Sequence, residues 1–312
     1  MDLMILTGSA HPTLAGAIAQ HLGSALAACQ VARFPDGEAH VDIRESVRAR
    51  DVYVVQPTSP PGDGHLIELL FLADACRRAG ADRVTAVMPY FAYARQDRRV
   101  SGREALAARV VAELIETSGV DRVVAVDLHT PAVEGFFTIP LEHVSALPLL
   151  ADAVGNTLAN RGVVVAPDLG AVKLAERYAR RLQLPMATVH KVRLSAEAVQ
   201  VRTVGGDVQG RAPLIVDDML STGATVEAAV RALLAAGCEP TVTVVVTHGI
   251  FAGPARQRLQ DLPIARLLTT DSVPIPSDLL LPVEVASLAP LLSRIIRQLH
   301  YGEPLGDLIS GD

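Results

Sequence analysis

Short runs of Val and Ile recur along this chain, each parted from the next by a longer stretch with helical periodicity. That alternation leaves few folds open. Met4–Leu6, Asp51–Gln56, Val84–Met88, Val123–Val126, Val163–Ala166, Leu214–Val216 and Val242–Val246 read as strands. They are apolar along nearly their whole length, the pattern of strands buried on both faces of a parallel sheet. Between them, Leu66, Leu69, Leu70 and Ala73 follow the i, i+3, i+4, i+7 stripe and predict a helix over Leu66–Ala79. A second helix is expected from about Arg103 to Ser118, with Leu106, Val110 and Leu114 on one face and Gly119 just past its end. Ala171–Leu182 and Val226–Ala236 repeat the pattern. The class is α/β, with mostly parallel sheets flanked by helices.

At 312 residues the chain is long enough for two such sheets. The near-copies Asp82–Val87 and Asp121–Val126 hint at duplication, and the turn-rich stretch Thr130–Pro140 precedes a boundary near Ala146–Leu150. The expected domains are therefore 1–146 and 147–312. The tail carries one amphipathic helix, Leu288–His300, and an apolar end able to pack back onto a domain. A formal net charge of −6 argues against a nucleic-acid footprint, although a local cationic pocket for phosphates stays open. Cys29, Cys76 and Cys238 are scattered singly, with neither metal-ligand nor disulfide spacing, and read as packing residues. With no leader-like start and no apolar run of membrane-spanning length, the expected setting is the cytoplasm.

Ligands of open parallel sheets gather at the carboxyl ends of the strands. The segment Leu214–Thr225 places two carboxylates, Asp217 and Asp218, after an apolar strand, then a Ser/Thr/Gly turn and a helix. Loop N–H groups and a helix N-terminus make an anion site, to which the hydroxyls add donors. Two carboxylates facing a phosphate would repel it, whereas they accept protons from sugar hydroxyls. A five-carbon sugar phosphate satisfies both halves of the segment. Arg95 and Gln96 offer donors after another strand end, and arginine grips polyphosphate through paired bonds. His129 follows the strand Val123–Val126, and Asp168 ends the next.

Asp217–Thr225 resembles the phosphoribosyl diphosphate-binding loop shared by type I phosphoribosyltransferases and ribose-phosphate diphosphokinases. Phe34-Pro35-Asp36-Gly37-Glu38, the stretch Pro89–Arg98, Asp127-Leu128-His129 and Pro167-Asp168-Leu169-Gly170 look like the diphosphokinases' remaining motifs, in that family's order. The resemblance covers nearly the full length. It implies two phosphoribosyltransferase-like domains and transfer of a diphosphate from ATP to carbon 1 of ribose 5-phosphate.

By the same resemblance, Asp217 and Asp218 hold the ribose hydroxyls while Ser221, Thr222, Gly223, Ala224 and Thr225 cradle the 5-phosphate. Arg95, Gln96, Asp97 and His129 become ATP ligands, and Phe34, Asp36 and Glu38 an adenine site. His129 and Asp168 are assigned to a Mg²⁺ ion, which prefers oxygen ligands and keeps several waters. Lys191 and Arg193 match two basic residues of a catalytic loop. The Phe34–Glu38 loop is expected to complete a neighbouring subunit's site, so a homo-oligomer is implied. Ser221, Ala224, Val192 and Leu169 depart from the commonest pattern of the family. The rival readings are a phosphoribosyltransferase, which leaves Phe34–Glu38 and Tyr93–Arg98 without work, a non-catalytic subunit, which would have lost Lys191 and Arg193, and a sugar-phosphate-sensing transcription regulator, for which the sequence shows neither a helix-turn-helix nor a basic patch.

Overall fold

A computed structural model of the chain describes residues 2–158, 161–193 and 200–310, apart from the side chains at 191–193, 200–202, 307 and 310. The chain forms two compact units. Unit 1 takes Met1–Ser145, Ser272–Pro274 and Ser287–Gly311, and unit 2 takes Ala146–Asp271 with Ile275–Ala286.

The strands of unit 1 are β1 (Leu3–Thr7), β2 (Cys29–Arg33), β3 (Ala39–Ile43), β4 (Asp51–Val55), β5 (Arg83–Met88), β6 (Arg122–Val126) and β7 (Leu141–Val144). Helices α1 (Pro12–His21), α2 (Gly62–Arg78) and α3 (Ala107–Thr117) connect them. Five strands form an all-parallel sheet in the order β1-β4-β5-β6-β7, while β2 and β3 pair separately as an antiparallel hairpin. The whole of β4 is buried, its opening Asp51 included, and Val52–Val55 form the apolar run that such burial favours.

Unit 2 contains β8 (Gly162–Ala166), β9 (Met186–Arg193), β10 (Gln200–Gly205), β11 (Ala212–Leu220), β12 (Val242–Gly249), β13 (Ile264–Thr270) and β14 (Val283–Ala286). Its helices are α4 (Leu147–Val154), α5 (Val172–Leu182), α6 (Ala224–Ala235) and α7 (Ala255–Gln260). The sheet order is β10-β9-β8-β11-β12-β13-β14, parallel except for the β9–β10 pair. The tail helices α8 (Ala289–Tyr301) and α9 (Asp307–Ser310) return to unit 1.

The structure corrects the second predicted helix. It begins at Ala107, not Arg103, and buries Ala108, Val111, Ala112 and Ile115. Val110 and Leu114 are 50% and 45% exposed. Both faces of this helix carry apolar residues at helical spacing, and the core took the one richer in small side chains. On α2 the expected stripe is inward, with Leu66, Leu69 and Ala73 buried. Cys76 lies in the core of unit 1, where burial pushes its thiol up to about 12. It behaves as a packing residue.

Unit 1 is pinned at the amino ends of its strands by Asp51, which is fully buried. Asp51 and Arg83 open β4 and β5 and are ladder partners, so their side chains meet. Arg83 Nε donates to Asp51 Oδ1 at 2.8 Å, and the Tyr53 hydroxyl donates to Oδ2 at 3.2 Å. His300, near the end of α8, brings Nδ1 to 2.7 Å from the same carboxylate. Burial alone would push this carboxyl up, but the Arg83 and His300 hydrogen bonds, with Arg83's charge, hold it below the usual range. Its contribution to stability is thus present above about pH 4 and lost as pH falls through the lowered value. Removing one partner of a fully buried ion pair costs about 3–5 kcal/mol. Because Arg83 is 29% exposed, Arg83→Leu is expected to cost about 2–3 kcal/mol, less than that range. Denaturant unfolding at pH 7 measures it.

Candidate active site

In unit 1 the candidate residues follow the carboxyl ends of β5 and β6 or lie on the β2–β3 hairpin. The hairpin tip is a tight turn: Phe34 N–H donates to Glu38 O and Gly37 N–H to Phe34 O, both at 2.9 Å. Gly37 takes φ 95°, a region that favours glycine. Asp36 Oδ1 accepts the Glu38 N–H at 3.1 Å. The Phe34 ring is 49% exposed and lies 5.1 Å from the His40 ring. An aromatic face and two carboxylates are therefore presented outward on a rigid turn.

That hairpin is tied to a buried polar network. Arg33 donates to Gly37 O at 3.0 Å and approaches Glu68 Oε1 at 3.5 Å. Glu68 Oε2 accepts from Ser9 Oγ at 2.7 Å and from Gln56 Nε2 at 3.0 Å. Gly8 permits this packing, since a Cβ there would sit 2.4 Å from Gln56 Oε1. Sequence reasoning passed over all four side chains. The one available signal was Glu68 itself, a carboxylate on the buried stripe of α2 with Leu72 and Cys76.

After β5, the turn carrying Arg95, Gln96 and Asp97 is anchored by buried Tyr90, Phe91 and Ala94. Phe91 packs edge-on against Phe137, centroids 6.0 Å apart. Tyr93 adopts φ 66° and its carbonyl accepts the Gln96 N–H at 2.8 Å. Arg95 and Gln96 are exposed and Asp97 is half-buried. After β6, Asp127 also takes a positive φ, 37°, and His129 is exposed just beyond it.

In unit 2 the strand order reverses between β8 and β11, the place where open parallel sheets bind ligands. The ends of those two strands carry Asp168 and the Asp217–Asp218 pair. Strand β11 runs further than its apolar core, through both carboxylates to Leu220. Asp218 N–H donates to Asp217 Oδ1 at 3.0 Å. Burial, with the charges of Asp218 and Asp168 beside it, pushes the Asp217 carboxyl well above the usual range. Asp168 thus lies near enough to be felt electrostatically. Its Oδ1 accepts from the Gly170 and Ala171 N–H groups at 2.8 and 3.2 Å, which fixes the turn into α5.

The Ser221–Gly223 turn leads straight into α6. Gly223 caps that helix at φ 74°, and a Cβ there would press on Leu259 at 3.3 Å. Arg258, another residue the sequence reading missed, donates to Thr222 O at 3.1 Å and braces the turn from α7. Lys191 and Arg193 end β9, but their side chains lie outside the described residues. Among the described residues no group of three or more His, Cys, Asp or Glu could cage a metal ion.

Comparison with known proteins decides the family. Residues 3–119 match the model for the N-terminal domain of ribose phosphate pyrophosphokinase, and residues 148–280 match the phosphoribosyl transferase domain. Ribose-phosphate pyrophosphokinase of Rhodopirellula baltica is 42% identical over 311 residues, 98% of each chain. Its counterpart from Streptomyces coelicolor is 42% identical over 95% of this chain and 92% of its own. The crystal structure of phosphoribosylpyrophosphate synthetase from Mycobacterium smegmatis superposes with a TM-score of 0.92 at 39% identity, covering 97% of this chain and 100% of that one. The chain belongs to the ribose-phosphate pyrophosphokinase family.

Membership accounts for the matches over both parts of the chain. A phosphoribosyltransferase alone would leave the match over 3–119 unexplained. As in the sequence reading, the fold is two phosphoribosyltransferase-type domains with parallel sheets flanked by helices. No helix among the described residues is long and apolar enough to cross a membrane.

Proposed function

We propose that this chain transfers the β,γ-diphosphoryl group of Mg-ATP to the C1 hydroxyl of ribose 5-phosphate, giving phosphoribosyl diphosphate and AMP. The single observation that carries the reading is the carboxylate pair Asp217–Asp218 running into the Ser221–Thr225 turn where the strand order reverses. Carboxylates there accept from the ribose hydroxyls, while the N–H groups at the start of α6 meet the 5-phosphate. The chain divides this work between residues 1–146, for nucleotide and oligomer contacts, and 147–312, for the sugar phosphate, with the C-terminal tail packed back on the first domain.

Phe34 stacks on the adenine, and Asp36 and Glu38 accept from its amino group. Arg95 and Gln96, with Asp97, hold the polyphosphate. The C1 oxygen attacks the β-phosphorus in line, the bond from that phosphorus to the bridging oxygen breaks, and AMP leaves with the electron pair. The hydroxyl proton passes to solvent. Lys191 and Arg193 neutralise charge growing on the phosphorus and the bridging oxygen, the kind of help on which phosphoryl transfer mainly depends.

The donors fit magnesium better than a metal bound by protein alone. Magnesium takes one or two carboxylates and fills its shell with water and substrate phosphate. Asp168 commits Oδ1 to its own turn, leaving Oδ2 for such an ion. His129, on the other unit, would offer its imidazole to the nucleotide's magnesium, directly or through water. Bound there, the ion would neutralise phosphate charge.

The outward hairpin tip suits a neighbouring subunit's site. Ile67 with Phe71 on α2, and Val110 with Leu114 on α3, are exposed i, i+4 apolar pairs, the kind of surface a homo-oligomer covers. The proposed setting is the cytoplasm. Phosphorus NMR of a mixture of protein, Mg-ATP and ribose 5-phosphate tests the reaction. AMP with a new diphosphate ester is expected, while ADP with a sugar bisphosphate would overturn attack at the β-phosphorus.

A further inference from the structure

The turn that presents His129 is held from an unexpected side. Its first residue, Asp127, sits at φ 37°, uncommon for a residue with a side chain. Such a conformation is strained and persists only where its surroundings over-determine it. Two bonds supply the restraint. Asp127 N–H donates to Val144 O at 2.9 Å, continuing the β6–β7 ladder. Leu128 N–H donates to His143 Nε2, also at 2.9 Å. The other ring nitrogen, Nδ1, lies 2.8 Å from Glu134 Oε1 on the 3₁₀ turn Pro131–Phe136.

A backbone N–H can only donate, so His143 Nε2 must present a lone pair to Leu128. The neutral ring then carries its proton on Nδ1, where the Glu134 carboxylate accepts it. Glu134 thereby selects the tautomer that lets His143 grip the peptide immediately before His129. Register explains why the residue is a histidine on β7: His143 pairs with Ala125, one step from the end of β6. That places its ring level with the turn that follows.

We propose that His143, oriented by Glu134, is a positioning residue that fixes the Asp127–His129 turn and so sets how tightly the chain holds Mg-ATP. The inference rests on the assignment of His129 to the nucleotide and metal. Acting one residue away from that ligand, His143 resembles the outer partners of metal ligands, whose loss costs about 10–100-fold in metal affinity or activity.

The test begins without any ligand. Nitrogen NMR of ¹⁵N-histidine protein, with the His143 resonances identified by their loss in His143→Gln, reports the tautomer. A protonated Nδ1 and a bare Nε2 are expected, and the opposite tautomer would overturn the proposal. Kinetics follow on the same proteins. His143→Phe keeps the bulk but loses the acceptor, and should raise KM for Mg-ATP about tenfold while leaving KM for ribose 5-phosphate within about twofold. His143→Gln, whose side-chain oxygen reaches about as far as Nε2 and can accept from Leu128, should recover most of that loss. Wild-type constants in the Phe variant, or equal damage in both variants, would sink the idea. Should the Phe variant not fold, Glu134→Ala takes its place, with a rise of about threefold expected and no change counting against the proposal. His129→Ala separates the two layers. If it weakens Mg-ATP while the His143 and Glu134 variants do not, the positioning role alone fails. If it leaves Mg-ATP untouched, the assignment of His129 falls and the inference goes with it.

Discussion

Asp217→Asn should make the ligand-free protein more stable and the enzyme far worse. The Asp217 carboxyl is raised well above its ordinary value by burial and by the neighbouring Asp218 and Asp168 charges. In the unfolded chain the same group ionises near pH 3.9. Between the two values the folded state holds the extra proton. Stability from this group is therefore complete below about pH 4 and is lost as pH rises through the raised folded value. Asparagine does not ionise and escapes that loss. Thermal unfolding of metal-free protein across pH should show the variant's advantage near zero in acid and growing towards alkaline pH. The cost appears in catalysis. A hydrogen bond to a charged group contributes about 1.5–3 kcal/mol, so trading the carboxylate for an amide, which loses the charge and one acceptor oxygen, should lower kcat/KM for ribose 5-phosphate about 10–100-fold. A variant neither more stable nor less active would contradict both the electrostatic reading and the sugar role.

Lys191→Ala should lower kcat about 100–1,000-fold, the usual consequence of deleting one group aimed at charge that develops only in the transition state. Both KM values should stay within about threefold, since the ammonium does little for the ground state. Steady-state rates with saturating Mg-ATP and ribose 5-phosphate measure it. A large rise in either KM with kcat unchanged would make Lys191 a substrate anchor instead.

Much of this architecture was legible because buried parallel strands announce themselves. Val123–Val126 and Val163–Ala166 have no polar residue to confuse the reading, and both are strands. The edges were harder. Leu-Glu-His-Val of β7 is short and half polar, so it was not read as a strand, although its histidine accepts the Leu128 N–H. The β2–β3 hairpin was seen only as the loop Phe34–Glu38, since its partly exposed strands lack a continuous apolar run. On α3 two apolar stripes competed, and periodicity alone did not say which would face inward.

The candidate site was legible where its residues are local, as in Asp217–Thr225. It was illegible where residues far apart in sequence meet. Glu68 gathers Ser9, Gln56 and Arg33 from three other segments. Asp51 and His300 stand 249 positions apart, yet they share a hydrogen bond. No spacing rule reaches that far.

The most direct test of the central claim follows AMP release from Mg-ATP by the purified, folded protein, with and without ribose 5-phosphate. AMP is predicted to appear only when the sugar phosphate is present, in step with phosphoribosyl diphosphate. AMP released equally without the sugar, or none released with it, would contradict the account.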